Sequence, residues 1–412
     1  MAFIRVLAII LISTLAYTTL AQDGIFDITN AKYGGKPDAD ITQALAKAFT
    51  DACASTTLSK VVVPAGKFLL KEAEFKGPCK APIEFQVTGT IQAPEEAQDL
   101  TKPDTWVAFN HIDKLTLSGG GTFDGNGALS WKNNDCHKNT KCAKVVNLRF
   151  NFLTNSLIQG ITCMNSKHFQ INVLGGNNVT LKLVKVSAPA DSVNTDGIHI
   201  GKSTGVSVLD SVIGTGDDCV SIGDGNKQIT VTNLTCGPGH GIAIGSLGRY
   251  EKEEPVEGIN VKNCTISNTS NGVRIKTWPA SPQESSASDI HFEDIIMNNV
   301  STPILIDQEY CPYNQCTNQV PSKVKISKIS FKNIKGTSNT PLAVKLVCSK
   351  GVPCEGIELS GIDLKYTGDK GPITSQCTNV KPTITNVAQP LACATDAPVA
   401  ADKAGPAEKS SD

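Results

Sequence analysis

Short strands of alternating apolar residues recur from about Leu115 onward, each followed by Asn, Gly or Ser. Repeats at a period of about 20 to 50 residues indicate a solenoid, a propeller or an array. Propeller blades need about 40 residues each, and no helical pattern alternates with these strands, so a β-solenoid fits best. The central apolar residues, which lie 27, 23, 30, 31, 34 and 33 residues apart, are Leu181, Val208, Val231, Val261, Phe292, Ile326 and Leu359.

The pattern predicts an all-β, single-domain fold in which each coil holds two or three short strands. Stacked coils bury a continuous apolar column, and we expect it to include Val206, Val208, Ile229 and Val231. The end of such a stack is an open sheet edge that needs a cap. The segment Thr42–Ala54 has helical spacing and is predicted to form this cap through Leu45, Ala48, Phe49 and Ala52.

The chain ends differ from the repeat. Arg5 followed by the apolar run Val6–Ala16 and the small-residue site Thr19–Ala21 predicts a signal peptide over residues 1–21. The apolar run is shorter than the about 20 residues that span a bilayer, which argues against a membrane anchor. The solenoid domain is expected over residues 22–394, and the composition of residues 395–412 predicts a disordered tail.

Cysteine usage agrees with a secreted, extracellular protein. All 14 Cys follow the predicted leader, and an even number in a secreted chain indicates disulfides. The candidate pairs are Cys136/Cys142, Cys311/Cys316, Cys348/Cys354, Cys219/Cys236 and Cys377/Cys393. Glycosylation is expected at some of the sequons that begin at Asn178, Asn233, Asn263, Asn268 and Asn299.

Charge excludes several partner classes. The 412 residues carry 38 Lys+Arg against 39 Asp+Glu, a net charge of -1, so no global field attracts nucleic acid or acidic lipid. An anionic ligand would need a local cluster of cations. No C-x-x-C or calcium-loop pattern is present, so we expect no metal and no cofactor. Separately, we expect the protein to be a monomer.

Four polar patches interrupt the repeat: Asn194–Asp196, Gly216–Asp218, Gly239–Gly241 and Arg274–Lys276. Asp196 and Asp217 are 21 residues apart, and Asp218 and His240 are 22 apart, about one coil in each case. Neighbouring parallel strands lie about 4.8 Å apart, so these side chains are expected to converge in one cleft. Arg274 and Lys276 are two residues apart on a strand and point the same way.

These residue types fit glycoside hydrolysis. One carboxylic acid protonates the leaving oxygen while another carboxylate activates water or attacks, and cations on the same face would bind an acidic sugar. Taken singly, Asp217–Asp218 is typical of a solvated turn, His240 of a structural histidine, and Arg274 and Lys276 of a solvated strand face. Their combination on a one-coil spacing favours a site.

The patches NTD, GDD, GHG and RIK, in this order, resemble the polygalacturonases, glycoside hydrolase family 28, from about Phe26 to about Cys393. The resemblance implies a right-handed parallel β-helix that hydrolyses the α-1,4 bonds of polygalacturonic acid with inversion. It implies Asp217 as general acid, Asp196 and Asp218 as the carboxylates that activate water, and His240 as support for the acid. It further implies that Arg274 and Lys276 bind the substrate carboxylate, with Tyr310 and Asn194 at the same substrate-binding cleft. Asn194 and Gly239 are also expected to shape turns.

Spacing alone does not decide stereochemistry. Simple stacking places Asp196 and Asp217 about 5 Å apart, as in retaining enzymes, whereas inverting enzymes need roughly 6.5–9.5 Å, so inversion is taken from the family. Asp217 and Asp218 cannot share one face of a flat strand, so a bend is expected there.

The mode of attack has two candidates. The stretches Cys236–Gly241 and Ser246–Tyr250 resemble the plant branch of the family. The stretches Asn271–Pro279 and Ile306–Cys316 resemble the pollen exopolygalacturonases, which implies release of galacturonic acid from the non-reducing end, in the cell wall. An endo-acting hydrolase with the same residues is the alternative. A pectate lyase would need calcium and form an unsaturated product, and a non-catalytic wall-binding protein should lack one of the three carboxylates.

Overall fold

The computed structural model describes residues 24–388, except 103, 137, 140, 141, 315 and 318, together with Leu391. The predicted signal peptide and the predicted tail lie outside these residues. Among the described residues, no helix is both long and apolar enough to cross a membrane.

The chain forms a right-handed parallel β-helix with three faces. The first face contains β1 Ile25–Asp27, β2 Ser59–Val63, β5 Ile83–Val87, β8 Leu115–Ser118, β11 Thr154–Gln159, β14 Asn177–Lys182, β17 Thr204–Leu209, β20 Lys227–Thr232, β23 Val256–Lys262, β26 Ser285–Val300, β28 Val324–Ser338, β30 Glu355–Ser360 and β33 Thr383–Thr385. The second face contains β3 Lys67–Leu69, β6 Thr90–Gln92, β9 Thr122–Asp124, β12 Thr162–Met164, β15 Lys185–Ser187, β18 Val212–Gly214, β21 Thr235–Cys236, β24 Thr265–Ser267 and β31 Asp363–Tyr366, and the long strands β26 and β28 continue into it.

The third face is a separate parallel sheet, and its outer surface carries the site described below. Its strands are β4 Ala73–Lys76, β7 Thr105–Asn110, β10 Val146–Asn151, β13 Ile171–Leu174, β16 Ile198–Gly201, β19 Val220–Ile222, β22 Ile242–Leu247, β25 Asn271–Thr277, β27 Thr302–Asp307, β29 Leu342–Val347 and β32 Thr374–Thr378. Four short helical segments complete the described elements: α1 Thr42–Ala54, α2 Ala128–Lys132 and the 3-10 turns Ala97–Asp99 and Pro312–Asn314.

In-register stacking builds the core. Successive strands of a parallel sheet place equivalent side chains over one another, so every coil adds one apolar residue per inward row. On the third face one such row is Leu148, Ile171, Ile198, Val220, Ile242, Val273 and Ile304, all fully buried. The inward positions predicted on the first face, Val206, Val208, Ile229 and Val231, are also fully buried, which confirms that prediction.

Helix α1 caps the N-terminal end as predicted, with the predicted bounds. Its apolar stripe faces the core, and Phe49 packs against Phe75 with ring centroids 4.8 Å apart. Phe75 in turn contacts Phe85 and Phe109, so the cap joins an aromatic stack inside the first coils.

The predicted repeat differs from the structure in two details. The apolar pattern is visible only from about Leu115, but the coils begin with β1 at Ile25, because α1 and irregular loops hide the period in the first turns. Phe292 was expected to be equivalent to Ile326, but it pairs with Phe331 of β28, and Ile326 pairs with Ala287 of β26. Lys328 has a φ of 57°, and this kink shifts the inward alternation by one residue between Ile326 and Ile329.

Disulfides fasten several turns. Four of the five candidate pairs are confirmed: Cys136–Cys142, Cys219–Cys236, Cys311–Cys316 and Cys348–Cys354. Cys377 is disulfide-bonded. Residue 393 lies outside the described residues, so the pairing of Cys377 with Cys393 stays a prediction. Cys53–Cys79, which ties α1 to the first coils, was not anticipated, and Cys163 and Cys264 are buried thiols.

Candidate active site

Three turns that lead into the third face carry the predicted acidic residues and the histidine. Asp196 precedes β16, Asp217 and Asp218 precede β19, and His240 precedes β22. The three strands pair in register, so positions two residues before each strand are equivalent, and these are Asp196, Asp218 and His240. The prediction that Asp196 stacks on Asp217 is therefore off by one residue, because the bend at Asp217 takes up one position.

The bend at Asp217 and Asp218 was predicted, and a glycine in the next turn, Gly239, allows the two turns to pack closely. Asp217 and Asp218 lie between β18 and β19, outside any strand. His240 donates its backbone N–H to the carbonyl of Asp217 at 2.9 Å, which brings two successive turns into contact. Gly239 has a φ of 137°, and a Cβ there would lie 2.3 Å from the same carbonyl, so only glycine fits.

Asp217 is almost fully buried, and its carboxylate is held by its neighbours. Oδ1 accepts the backbone N–H of Asp218 at 2.6 Å and lies 3.0 Å from Nδ1 of His240. Burial opposes the charged form of His240, but the hydrogen bond and charge of Asp217 outweigh it, so the pKa of His240 is raised. The pair can hold one proton between imidazole and carboxylate.

Asp218 contacts both predicted cations. Its Oδ1 accepts from Arg274 at 2.7 Å, and its Oδ2 accepts from Lys276 at 3.1 Å. Arg274 and Lys276 point the same way from β25, as expected from their spacing, and the three side chains are buried. The two cations neutralise Asp218, and of the two only Lys276 lines the cleft.

The surroundings of Asp196 shift the pKa of its carboxyl group. Burial, followed by the charges of Asp217 and Asp218, raises its pKa, while a hydrogen bond from Ser221 and the charge of Lys276 act against the shift. The Ser221 hydroxyl lies 2.6 Å from Oδ2 of Asp196. The pKa of Asp196 is therefore higher than that of an ordinary carboxylate.

His199 extends this hydrogen-bond chain. Its Nδ1 lies 2.8 Å from the Ser221 hydroxyl, which already donates to Asp196, so Nδ1 must be the donor. Burial lowers the pKa of His199 to about 4, so its ring is neutral near pH 7. Phe169 stacks on the ring with centroids 4.9 Å apart and fixes its orientation.

A cleft of about 600 Å³ opens on this surface. Six of the eight predicted site residues line it: Asn194, Asp196, Asp217, Asp218, Lys276 and Tyr310. Asn194 has a φ of 53° and shapes its turn, as expected. Arg274 and His240 lie behind this lining, in contact with Asp218 and Asp217.

The cleft also contains residues that none of the four patches indicated: Trp278, Ser221, His199, Arg249 and Tyr250. Trp278 packs edge-on against the predicted Tyr310 at 5.6 Å, and Tyr310 lies beside Lys276, with Nζ 5.1 Å from the ring centroid. The five residues belong to ordinary-looking strands and loops, and only the register of β16 to β25 could have marked them.

Two groups of side chains have the ligand types of a metal site. Atoms of Asp217, Asp218 and His240 lie within 4.8 Å of one another, as do those of Asp135, Cys136 and Cys142. In the first group, Asp217 pairs with His240, and Asp218 pairs with Arg274 and Lys276. In the second group, the two cysteines form a disulfide with each other. The chemistry that this arrangement supports is therefore acid–base chemistry between carboxyl groups in distinct environments.

Comparison with known families gives one match over most of the chain. The family model described as "Glycosyl hydrolases family 28" matches residues 53–393. A polygalacturonase of Medicago sativa is 55% identical over 383 residues, which is 92% of this chain and 90% of that protein. An exopolygalacturonase of Oenothera organensis is 55% identical over 364 residues, 88% of this chain and 100% of that protein.

Solved structures agree on the fold. An endo-xylogalacturonan hydrolase from Aspergillus tubingensis is 25% identical with a TM-score of 0.75, covering 88% of this chain and 100% of its own. A hyperthermoactive exopolygalacturonase from Thermotoga maritima, 18% identical, superposes with a TM-score of 0.73 over 88% of this chain and 92% of its own. Both are similar to this chain along nearly the whole solenoid.

Proposed function

The chain belongs to glycosyl hydrolase family 28, and from that premise we propose that it cleaves polygalacturonic acid at its α-1,4 bonds with inversion. It is a pectin-degrading glycoside hydrolase. The observation that carries the proposed mechanism is the convergence of Asp196, Asp217 and Asp218 on one cleft, each with a different partner.

Asp217 is the proposed general acid. Its contact with His240, whose pKa is raised, keeps a proton at the Nδ1–Oδ1 pair, and Asp217 delivers it to the glycosidic oxygen. His240 then acts as a positioning residue that restores the acid form. The turn at Gly239 supports this role because it holds the two residues in contact.

Asp196 and Asp218 are the proposed base pair for the attacking water. Arg274 and Lys276 neutralise Asp218, so it accepts the hydrogen bonds of a water at little electrostatic cost. Asp196 takes the proton, and its raised pKa makes it a stronger base than an ordinary carboxylate. Lys276, with Tyr310 beside it, is proposed to bind the carboxylate of the sugar at the cleavage point.

We propose exo action, with release of galacturonic acid from the non-reducing end. The support is the 55% identity to an exopolygalacturonase whose whole length is matched. The equally similar protein of Medicago sativa is named polygalacturonase without a mode of attack, and an endo-acting enzyme stays the second candidate. The two differ in their first products, which are monomer alone for exo action and mixed oligomers for endo action.

Secretion to the cell wall is part of the proposal, with residues 1–21 as signal peptide, 22–394 as catalytic domain and 395–412 as tail. Five disulfides between described residues support an oxidising compartment. The sequon asparagines Asn178, Asn233, Asn263, Asn268 and Asn299 are all exposed and so are open to glycosylation.

The variant Asp217→Asn tests the mechanism. Loss of the general acid should reduce the kcat on unmethylated polygalacturonate by about 10² to 10⁴-fold. Asp210→Asn is the matched control, because Asp210 is a half-buried carboxylate on a turn outside the cleft lining. Near-native activity of Asp217→Asn, with both variants folded by circular dichroism, would remove Asp217 from the mechanism.

A further inference from the structure

We infer that Arg249 forms a second carboxylate-binding position in the cleft and makes the enzyme selective for substrates with two unesterified uronic acids close together. This inference rests on the proposed function. It concerns a cation that lies on the loop after β22, outside all four sequence patches.

The guanidinium of Arg249 lies over two aromatic rings. Its central carbon lies 4.6 Å from the ring centroid of Trp278 and 5.3 Å from that of Tyr250. Attraction to both ring faces holds the planar group without consuming its N–H donors. Trp278 is buried, so one of these two rings is held in place by the surrounding protein.

The loop that carries Arg249 is itself ordered by an acid. The Glu253 carboxylate accepts the backbone N–H of Gly248, of Arg249 at 2.9 Å and of Tyr250 at 2.8 Å. The charge of Glu253 is thereby directed to the backbone. Within the described part of the chain, no carboxylate forms an ion pair with the guanidinium of Arg249, whereas Arg274 and Lys276 both share Asp218.

Arg249 is therefore an exposed cation at the cleft surface, where the N–H donors of its planar guanidinium are available to a ligand. Arg is the side chain best suited to bidentate carboxylate recognition. The ring of Tyr250, 63% exposed, lies beside it and offers an apolar face to the C–H groups of a sugar. A uronic acid supplies both features, an anion and a sugar ring, whereas a methyl ester removes the anion.

Two aromatic side chains in contact, Tyr310 and Trp278, connect the Arg249 position to the proposed Lys276 position. Tyr310 contacts Lys276 at 5.1 Å and Trp278 at 5.6 Å, and Trp278 contacts Arg249. Both cations thus line one cleft along a continuous wall. A short run of α-linked galacturonates could place one carboxylate at each, which a neutral or fully esterified chain could not.

Binding of trigalacturonic acid in the Asp217→Asn background tests the inference by calorimetry. Arg249→Gln, added to that background, should weaken the Kd by about tenfold, the value of one charge-assisted hydrogen bond. Arg249→Lys keeps the charge but loses the planar stack, and should fall between the two. Lys185→Gln removes an exposed charge from the second face and should leave the Kd unchanged.

A second readout uses the fully methyl-esterified trisaccharide. The Asp217→Asn protein should prefer the free acid, and Arg249→Gln should shrink that preference by about tenfold. In the otherwise native enzyme, Arg249→Gln should raise the KM for trigalacturonic acid and leave kcat within about twofold. An unchanged Kd and an unchanged ester preference would overturn the inference, whereas a native enzyme inactive on polygalacturonate would overturn the proposed function instead.

Discussion

Ser221 determines how Asp196 can act as a base. Its hydroxyl donates a hydrogen bond to Oδ2 of Asp196 at 2.6 Å and accepts one from Nδ1 of His199 at 2.8 Å. Burial and the charges of Asp217 and Asp218 raise the pKa of Asp196, and the hydrogen bond from Ser221 partly offsets this rise. His199 holds the hydroxyl in that direction, although Asp218, Lys276, Asp224 and Arg149 surround its ring with charge.

The variant Ser221→Ala should move the acidic limb of the kcat/KM profile upward by about one pH unit. The sign follows because removal of the hydrogen bond raises the pKa of Asp196, which must be ionised to accept a proton. His199→Asn keeps a donor at the Nδ1 position and should leave the limb in place, while His199→Gln loses that donor and should behave like Ser221→Ala. An unmoved limb in Ser221→Ala would contradict the proposed role of Asp196.

Motif residues and supporting residues differed in how far the sequence could predict them. Asp196, Asp217 and Asp218 stand out because acidic side chains interrupt an apolar repeat at one-coil spacing. Ser221 and His199 occupy regular outward positions of β19 and β16, where polar residues are expected for solvation alone. Their contact depends on exact register, which a single bend such as that at Asp217 can shift by one residue.

At the scale of elements, local periodicity was sufficient for α1 but not for β28. The cap helix is one contiguous amphipathic segment, so its bounds were readable from the apolar spacing. Strand β28 contains two inward runs separated by the kink at Lys328, and alternation alone cannot choose which run pairs with Phe292. The Cys53–Cys79 bridge spans 26 residues and joins different elements, so sequence spacing did not suggest it.

The cap should matter for stability and not for chemistry. Phe49→Ala removes a ring packed against Phe75 at 4.8 Å and should lower the free energy of unfolding by about 3–5 kcal/mol. The activity at 25 °C should stay native, because α1 contributes no residue to the cleft. Urea unfolding and kcat measure the two effects.

Lys47→Ala on the exposed side of the same helix is the control, with an expected change of about 0.5 kcal/mol or less. Equal destabilisation by the two variants would mean that the aromatic stack does not hold the cap. Loss of kcat in folded Phe49→Ala would mean that the cap influences the distant cleft.

Over the whole molecule, the site lies where the coils are shortest. Equivalent positions on the third face are Ile171, Ile198, Val220, Ile242 and Val273, so the steps are 27, 22, 22 and 31 residues. The two short coils leave little loop between the second and third faces, and their turns bring Asp196, Asp218 and His240 into line. A net charge of only -1 leaves recognition of an acidic polymer to cations inside the cleft.

The most direct test of the central claim is proton NMR of the first product formed from unmethylated polygalacturonate. Because one carboxyl group should protonate the leaving oxygen while others activate water, the account predicts galacturonic acid monomer that appears first as the β anomer. Early monomer in the α form would contradict inversion. Mixed early oligomers would contradict exo action, and an unsaturated product would contradict hydrolysis altogether.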